Sequence, residues 1–579
     1  MAVIGIDLGT TNSLVAYYKD GKSVLIPNEF GEYCTPSVVH INKKGEVIVG
    51  RAAKELLITD PENTVAVFKR SMGLERLYQL QLHAYKPEEL SAFVIKKLVE
   101  DAKRELQEEI EEVIISVPAY FDDVRRKATK RAGEIAGVHV ERLINEPSAA
   151  ALACRMEQGD TDCVYMVFDF GGGTLDISVV ECFENVISVL AVSGDNHLGG
   201  SDFDRVIADY ICEQLGANWE LLFKEDQAII FRKAEQLKKL LSQDSHAKVE
   251  IDTDRLHGVV ELEHQQLVDL SEDIFRRIKI PLQQVINDSG YLLEEIERVI
   301  MVGGSSKMPV VNMYLQYLLK KELITVGNPD ETVARGVGVY AGMKQRNEEL
   351  KQLVMTDICP FSLGTATLNE HCLIRPYFSP IIERNSVLPI SKTATFCTAF
   401  DNQKFVEIRI YQGDEPYAED NQLLDKLKIG VPPAPRGEEQ VQVRFTYDIN
   451  GILDVEVTIL STKEVVQKTV VKKELGLSDE VIQQQLQKME EIKSDVRDDE
   501  KNQYVLNYLD ALFRQTTGRN RQLVQGAREV FEEALSTQDG HRIRRTRQWV
   551  LMQLQQIGGM LFELDDVMKE IMEQEDSEE

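Results

Sequence analysis

Two aspartates, each at the end of an apolar strand and followed by glycine, are the residues in this chain best suited to chemistry. The first stretch is Val3-Ile4-Gly5-Ile6-Asp7-Leu8-Gly9-Thr10-Thr11-Asn12. The second is Met166-Val167-Phe168-Asp169-Phe170-Gly171-Gly172-Gly173-Thr174-Leu175-Asp176. In both, a second apolar run follows at once, which is the pattern of a β-hairpin with a glycine turn. Backbone N–H groups of such a turn can cradle phosphate oxygens, and glycine lets the backbone come close. The aspartates are suited to holding Mg²⁺ through water, because that ion gives up its hydration shell reluctantly. Two matched hairpins imply a duplicated fold that grips a nucleoside triphosphate from both sides.

The elements that must position these turns follow from pattern. Residues 1–346 alternate strands and helices, which predicts an α/β domain. Strands are expected at Val113–Val117, Val164–Phe168 and Val299–Val302, and helices at Ala92–Leu106, Asp123–Ile135 and Phe231–Leu241. Residues 347–360 form a linker whose stretch Leu353-Val354-Met355-Thr356-Asp357-Ile358-Cys359-Pro360 is apolar without helical period. A free linker should be polar, so this one is expected to dock. From 361 to 472 the chain turns strand-rich, at Ala394–Phe400, Phe405–Tyr411, Val441–Tyr447 and Leu453–Ile459, with a hairpin turn at Asp448-Ile449-Asn450-Gly451. That is the signature of a β-sandwich. Residues 473–579 read as charged helices opened by the cap Ser478-Asp479-Glu480, with a frayed acidic end at Glu573–Glu579.

Bulk composition narrows the function. The 579 residues are 43% hydrophobic and 28% charged, enough for several domains with proper cores. The formal net charge of -30 argues against a nucleic-acid partner, whose phosphates attract basic surfaces. The basic run His541–Arg547 reads as a solvated helix face. Eight cysteines are scattered without a C-x-x-C pair, as expected for reduced thiols in a cytoplasmic protein. No signal peptide and no membrane span are expected, since no apolar run approaches ~20 residues.

Five further segments complete the set: Val117-Pro118-Ala119-Tyr120-Phe121, Leu143–Ala151 with Asn145-Glu146-Pro147, His197–Asp204 with Gly199-Gly200, Val302–Pro309 with Gly303-Gly304-Ser305, and Asn328–Gly336. In this order, with the two phosphate turns, they resemble the DnaK-type chaperones of the 70-kDa heat-shock protein family. The chain is most similar to the shorter bacterial HscC-like branch. The resemblance is strongest in 1–346, good in 353–460 and weak in the C-terminal helices.

The resemblance implies a multidomain protein: an actin-like, two-lobed α/β ATPase domain (1–346), an interdomain linker (347–360), a β-sandwich peptide-binding domain (361–472), and a helical lid with an acidic tail (473–579). The implied activity is ATP hydrolysis to ADP and phosphate, which controls binding and release of extended apolar polypeptide segments. ATP or ADP, Mg²⁺ and K⁺ are the implied cofactors. By motif, Asp7 and Asp169 hold the metal ion through water. Lys69, Glu146, Asp169, Thr174 and Asp176 form the catalytic set, with Lys69 on the γ-phosphate. Thr10, Thr11, Asn12, Gly171, Gly172 and Gly173 line the phosphate loops. Gly199, Gly200, Glu235, Lys238, Ser242, Gly303, Gly304, Ser305, Lys307 and Asp330 surround the rest of the nucleotide. A peptide groove falls on Leu363, Thr365, Leu368, Phe396, Ala399, Val406 and Ile408. Arg142 and Asn145, together with the linker acid Asp357, meet a J-domain cochaperone, with Asp357 expected to pair with Arg142.

The chain departs from the family at several points. The segment between Lys69 and Val113 is short, which bears on contacts to a nucleotide-exchange factor. Lys307 stands where an arginine usually stacks on adenine. Thr356 interrupts a leucine-rich linker, Thr365 replaces an aliphatic groove residue, and an insertion lies around Arg375–Asn385. The bland alternatives are Lys69 as a surface lysine, Glu146 as a capping acid, and the Glu235–Ser242 helix as a solvated face. An actin-like small-molecule kinase or a filament-forming structural ATPase would share the scaffold. Neither has use for an apolar linker and a β-rich unit.

Overall fold

A computed structural model describes residues 2–579 except 159–162, 184–185, 254, 346–349, 351–352, 370–371, 449–452, 471–501, 503–504, 507–508, 510–512, 514–517, 538–539 and 559–579. The expected turn at 448–451, the cap at Ser478 and the acidic end lie wholly or partly outside the described residues. The chain divides into two compact units: Met1–Phe361 with Val471–Gly476, and Ser362–Val470 with Leu477–Glu579.

In the first unit, two sheets repeat one topology. One runs in the order His139–Asn145, Ile110–Val117, Ala2–Asp7, Asn12–Lys19, Lys22–Leu25. The other runs Leu323–Ile324, Arg298–Val302, Cys163–Phe170, Leu175–Phe183, Val186–Asp195. Each begins with parallel neighbours and ends in an antiparallel meander of three strands. Each carries its Asp-x-Gly turn between the first two strands of that meander. Parallel strands need covering on both faces, and the near-continuous apolar runs Val113–Val117 and Met166–Phe168 are fully buried accordingly.

Helices Pro87–Leu106 and Asp123–Ile135 flank the first sheet, and Glu146–Gln158 and Thr332–Lys344 cross between the two. That crossing is tight. A Cβ at Gly336 would stand 1.7 Å from the Ala149 carbonyl oxygen, so only glycine lets the two helices touch there. Helix Lys224–Leu240 begins seven residues ahead of the expected Phe231: a polar first turn, Lys224-Glu225-Asp226-Gln227, leads into Ala228-Ile229-Ile230, and Ile230 is already fully buried.

The linker stretch does dock. Val354–Ile358 is a strand parallel to Val186–Asp195, with Val186 opposite Val354 and Ser188 opposite Thr356. Leu350 and Ile358 are buried in the adjoining core.

The second unit holds two four-stranded antiparallel sheets. One orders Cys372–Ile382, Leu363–Asn369, Phe405–Gln412 and Gln422–Gly430; the other Ile390–Cys397, Gln440–Tyr447, Leu453–Ile459 and Val465–Thr469. Of the inserted segment at 375–385, residues 375–382 continue the strand Cys372–Ile382 and residues 383–385 make a turn closed by Ser386 N–H to Glu383 O at 3.3 Å. Among the C-terminal residues described, helices Gly518–Thr537 and Gly540–Gly558 share an apolar core of Val524, Phe531, Leu535, Ile543, Val550 and Leu551.

Candidate functional site

The two Asp-x-Gly turns meet across a cleft of about 580 Å³. The contact explains the glycines. A Cβ on Gly172 would lie 1.8 Å from Thr11 Oγ1, and one on Gly173 would lie 2.4 Å from Thr10 Cγ2. The first turn is braced by Ser13 Oγ, which accepts from Gly9 N–H at 3.1 Å, and by Ser37 Oγ, which donates to Gly9 O at 2.8 Å. The second is closed by Gly171 N–H to Thr174 O at 3.1 Å. It is also bound from three sides. Gly200 N–H donates to Gly171 O at 3.0 Å, Ser305 Oγ donates to Gly171 O at 2.8 Å, and Arg70 Nε donates to Gly173 O at 2.8 Å.

Three carboxylates and one ammonium occupy the floor, and a fourth carboxylate, Asp176, lies in the layer behind. Asp7, Glu146, Asp169 and Asp176 are all buried, and so is Lys69. Lys69 Nζ donates to Glu146 Oε1 at 2.9 Å, with the two side chains 4% and 9% exposed. Lys69 enters on a short 3-10 helix, Phe68–Ser71, preceded by Val67 at φ 59°. A β-branched residue in the left-handed region is strained, and it lines the cleft here. Glu146 opens helix Glu146–Gln158, where the helix dipole favours a negative charge. Ser116 Oγ donates to Asp7 at 2.7 Å, and the Tyr120 N–H donates to Asp176 at 3.3 Å. Burial, then the Glu146 charge, pushes Asp7 up to about 7 against the opposing pull of Lys69 and Ser116. Burial followed by Glu146 does the same to Asp176, also to about 7, and burial raises Asp169 well above the ordinary carboxylate range.

A floor this rich in carboxylates fits a divalent cation, because four acids share one ammonium. Among the described residues no group of three or more His, Cys, Asp or Glu is close enough to ligate an ion directly. Buried carboxylates on the cleft lining, Asp7 and Asp169 among them, suit an ion that keeps its water, as Mg²⁺ does.

The remaining nucleotide-side residues are gathered at the same cleft. Glu235, Lys238, Ser242, Gly303, Gly304, Ser305, Lys307 and Asp330 all line it, as do Thr10, Thr11, Asn12, Gly171, Gly172 and Thr174. Gly173, Gly199, Gly200 and Asp176 sit one layer behind. A Cβ on Gly199 would stand 2.4 Å from Gly173 N, so this turn backs the second phosphate loop. Lys238 Nζ pairs with Asp204 at 2.7 Å and donates to Gly200 O at 2.9 Å. Lys307 Nζ pairs with Asp330 at 2.5 Å at the rim. Glu235 bonds Lys239 at 2.6 Å and Lys54 at 3.3 Å. Burial would raise its carboxyl, but Lys54, Lys239 and Lys238 together hold it at about 2.

The motifs do not single out Lys54, Arg70, Ser116 or Asp204. Arg70 bridges Gly173 O and Asp202, the latter at 2.7 Å. Its one signal is adjacency to Lys69, since its partners lie over a hundred residues away.

At the linker, Asn145 Nδ2 donates to both oxygens of Asp357, at 2.7 and 2.6 Å. The expected Arg142–Asp357 pair is not formed. Arg142 instead donates to the Tyr340 hydroxyl, its guanidinium 5.0 Å from that ring's centre. The physical reason is register. Arg142 and Asn145 are three apart on one strand, so their side chains leave on opposite faces, and only Asn145 faces the linker acid.

In the second unit, Leu363, Thr365 and Ile408 are buried, Val406, Phe396 and Ala399 are half-buried, and Leu368 is exposed. Leu363, Thr365, Leu368, Val406 and Ile408 belong to one sheet and Phe396 to the other. Thr365 Oγ1 is buried with no hydrogen-bond partner.

The Hsp70 protein family profile matches residues 3–79 and 76–575. "Chaperone protein DnaK" of Thermosipho melanesiensis is 39% identical over 474 residues, covering 79% of this chain and 78% of that protein. The protein of the same name from Methanothermobacter thermautotrophicus is 38% identical over 516 residues, covering 86% and 84%. That of Thermosipho africanus is 39% identical over 481 residues, covering 79% and 78%.

Proposed function

The chain belongs to the Hsp70 family and is an ATP-dependent molecular chaperone, and we propose that the Lys69–Glu146 pair between the two phosphate turns is the catalytic centre of its ATPase. The observation that carries this reading is the buried 2.9 Å bond from Lys69 to Glu146, flanked by three further carboxylates. Family membership brings an actin-like ATPase domain, a β-sandwich and a helical lid, with ATP or ADP and Mg²⁺ as ligands. It sets aside the kinase and filament alternatives.

Phosphoryl transfer to water needs positioning and charge stabilisation more than covalent chemistry. Lys69 supplies a positive donor to the γ-phosphate, and Glu146 fixes the ammonium through their bond. Thr174 and Asp176 orient the attacking water. Thr10, Thr11, Asn12 and Gly171–Gly173 present their donors to the phosphates. Bound Mg²⁺ neutralises phosphate charge, and a K⁺ ion near the same acids would add to this. Glu235, Lys238, Ser242, Gly303–Ser305, Lys307 and Asp330 hold the base and sugar. These residues form the domain 1–346. The linker 347–360 joins it to a peptide-binding sandwich at 361–472, with the lid at 473–579.

In the sandwich, the groove of Leu363, Thr365, Leu368, Phe396, Ala399, Val406 and Ile408 takes an extended apolar segment. Arg142, Asn145 and Asp357 form the face for a J-domain cochaperone. An exchange factor, if one serves this chain, meets a surface shortened between Lys69 and Val113.

Lys69→Ala tests the centre. Single-turnover hydrolysis should fall by about a hundredfold or more, as for loss of a charge-stabilising group, with ATP affinity kept within a few-fold. Hydrolysis within a factor of two of wild type would remove Lys69 from the active site.

A further inference from the structure

Three of the cysteines that look scattered in the sequence converge behind the second phosphate hairpin. Cys163 and Cys182 are direct cross-strand partners on Cys163–Phe170 and Leu175–Phe183. Cys154, on helix Glu146–Gln158, packs into the same apolar cluster as Cys182 and Tyr165, with Cys163 at its edge. Cys154 and Cys182 are buried at 2% and 3% exposure, while Cys163 is half-buried and reachable from solvent. The Tyr165 hydroxyl lies 3.4 Å from Cys182 Sγ.

Directly opposed residues of an antiparallel pair share a face and bring their Cβ atoms to about 4.5–5.5 Å. A disulfide needs about 3.5–4.5 Å, so a small local approach of the strands closes the gap. We propose that Cys163 and Cys182 are an oxidant-sensitive dithiol, attacked by peroxide at the half-buried Cys163 and resolved by Cys182 into a cross-strand disulfide.

The steps balance. The Cys163 sulfur attacks one oxygen of hydrogen peroxide, the O–O bond breaks, and the departing hydroxide leaves as water with the thiol's proton. Cys163 is then a sulfenic acid. The Cys182 sulfur attacks the Cys163 sulfur, the S–O bond breaks, and a second water leaves. Two thiols lose two electrons and one peroxide becomes two waters.

Two neighbours bear on the second step. Burial holds the Cys182 thiol above its ordinary value, with Cys163 adding to the rise, while the Tyr165 hydroxyl and the Arg155 guanidinium beside it offset part of it. A positive group next to a thiol favours the thiolate, the form that attacks. Cys154 has no such relief: burial and the nearby Glu157 charge hold its thiol well above the ordinary value. It is a packing residue, not the resolving thiol.

The position gives the bond a consequence for the chain. Cys182 is opposite Ile187 on the next strand, and Ile187 is opposite Met355 of the linker strand. Cys163, Cys182, Ile187 and Met355 therefore form one row across the sheet, all on one face. A bond between the first two staples the open end of the phosphate hairpin in the row where the linker docks.

The test uses the full chain. Reduced protein is treated with hydrogen peroxide, alkylated under denaturing conditions, digested and read by mass spectrometry. The expected result is loss of two free thiols per chain, a peptide pair joining Cys163 to Cys182, and full reversal by dithiothreitol. Cys163→Ser should abolish the bond and Cys154→Ser should leave it. The wild-type peptide map stands whether or not either variant folds. Retention of all thiols, sulfinic acid at Cys163 without a disulfide, or a bond from Cys163 to Cys154 would each overturn the proposal.

Discussion

At Lys69 and Glu146 the sequence motifs and the geometry meet most closely, because each sits in a local pattern that fixes its backbone. Burial ends the alternative for Lys69, since a 4%-exposed lysine is not a surface lysine, and Glu146 bonds that lysine as well as opening its helix. The acid cluster predicts a pH dependence. Asp7 and Asp176, raised from 3.8 to about 7, are largely protonated at pH 6 and largely ionised at pH 8 in the metal-free protein. A proton on Asp7 weakens its hold on the hydrated ion, and a proton on Asp176 removes a nearby negative charge that attracts it. Mg²⁺ affinity should therefore rise through pH 6–8 and level off above, by up to about tenfold per pH unit for each proton released. Titration calorimetry in two buffers of different ionisation enthalpy would count those protons; none released, with affinity flat across the range, would contradict the raised values. Lys307 offers a second check. Its ammonium is occupied by Asp330 at 2.5 Å, a compact hydrated charge in place of a planar guanidinium. Lys307→Arg should tighten ADP by roughly two- to thirtyfold, from a cation–π gain of about 0.5–2 kcal/mol. Equal or weaker ADP binding by calorimetry would mean that residue 307 does not stack on the base.

The elements were legible wherever a run had one period. Asp123–Ile135 and Leu453–Ile459 match their expected bounds, and the strands at Val113, Val164 and Val299 grow by only a few residues. Residues 398–400 fall outside the strand Ile390–Cys397, whose pairing with Gln440–Tyr447 ends at Cys397 opposite Gln440. What local pattern could not give is pairing across distance. The linker's apolar character predicted docking but not a strand, since its partner Val186–Ser188 lies far away in sequence. The Asn145–Asp357 bond spans 212 residues and was misassigned to Arg142 for the same reason. The corrected pairing sharpens the linker prediction. Asn145→Ala should leave basal hydrolysis and peptide affinity near wild type yet slow ATP-triggered peptide release severalfold, and Arg142→Ala should act less through this bond. Normal release from Asn145→Ala in a stopped-flow measurement would refute the latch. In the sandwich, Val406 is half-buried beside the buried Ile408. Val406→Phe should overfill a groove shaped for one aliphatic side chain, at about 1–3 kcal/mol. Peptide affinity should drop roughly five- to a hundredfold with the ATPase intact; unchanged affinity in a folded variant would move the groove elsewhere.

For the whole molecule, the repeated strand order in residues 2–345 brings two Asp-x-Gly turns to one cleft, and the linker strand Val354–Ile358 extends the second of the two sheets. No helix among the described residues is long and apolar enough to cross a membrane. The family match spans both the nucleotide cleft and the β-rich segment, so neither half accounts for the chain alone. We propose that ATP chemistry at Lys69 and peptide binding near Val406 are one coupled equilibrium. Coupling of that kind is reciprocal in free energy: if ATP lowers peptide affinity, peptide must lower ATP affinity by the same factor. Peptide should also reach the rate, by biasing the linker toward release. The most direct measurement is single-turnover ATP hydrolysis by the full chain, with and without a saturating extended apolar peptide, beside the same pair in Val406→Phe. The account predicts a rate several-fold higher with peptide, lost in Val406→Phe, with no small-molecule acceptor required. A rate indifferent to peptide in the wild-type chain would contradict it.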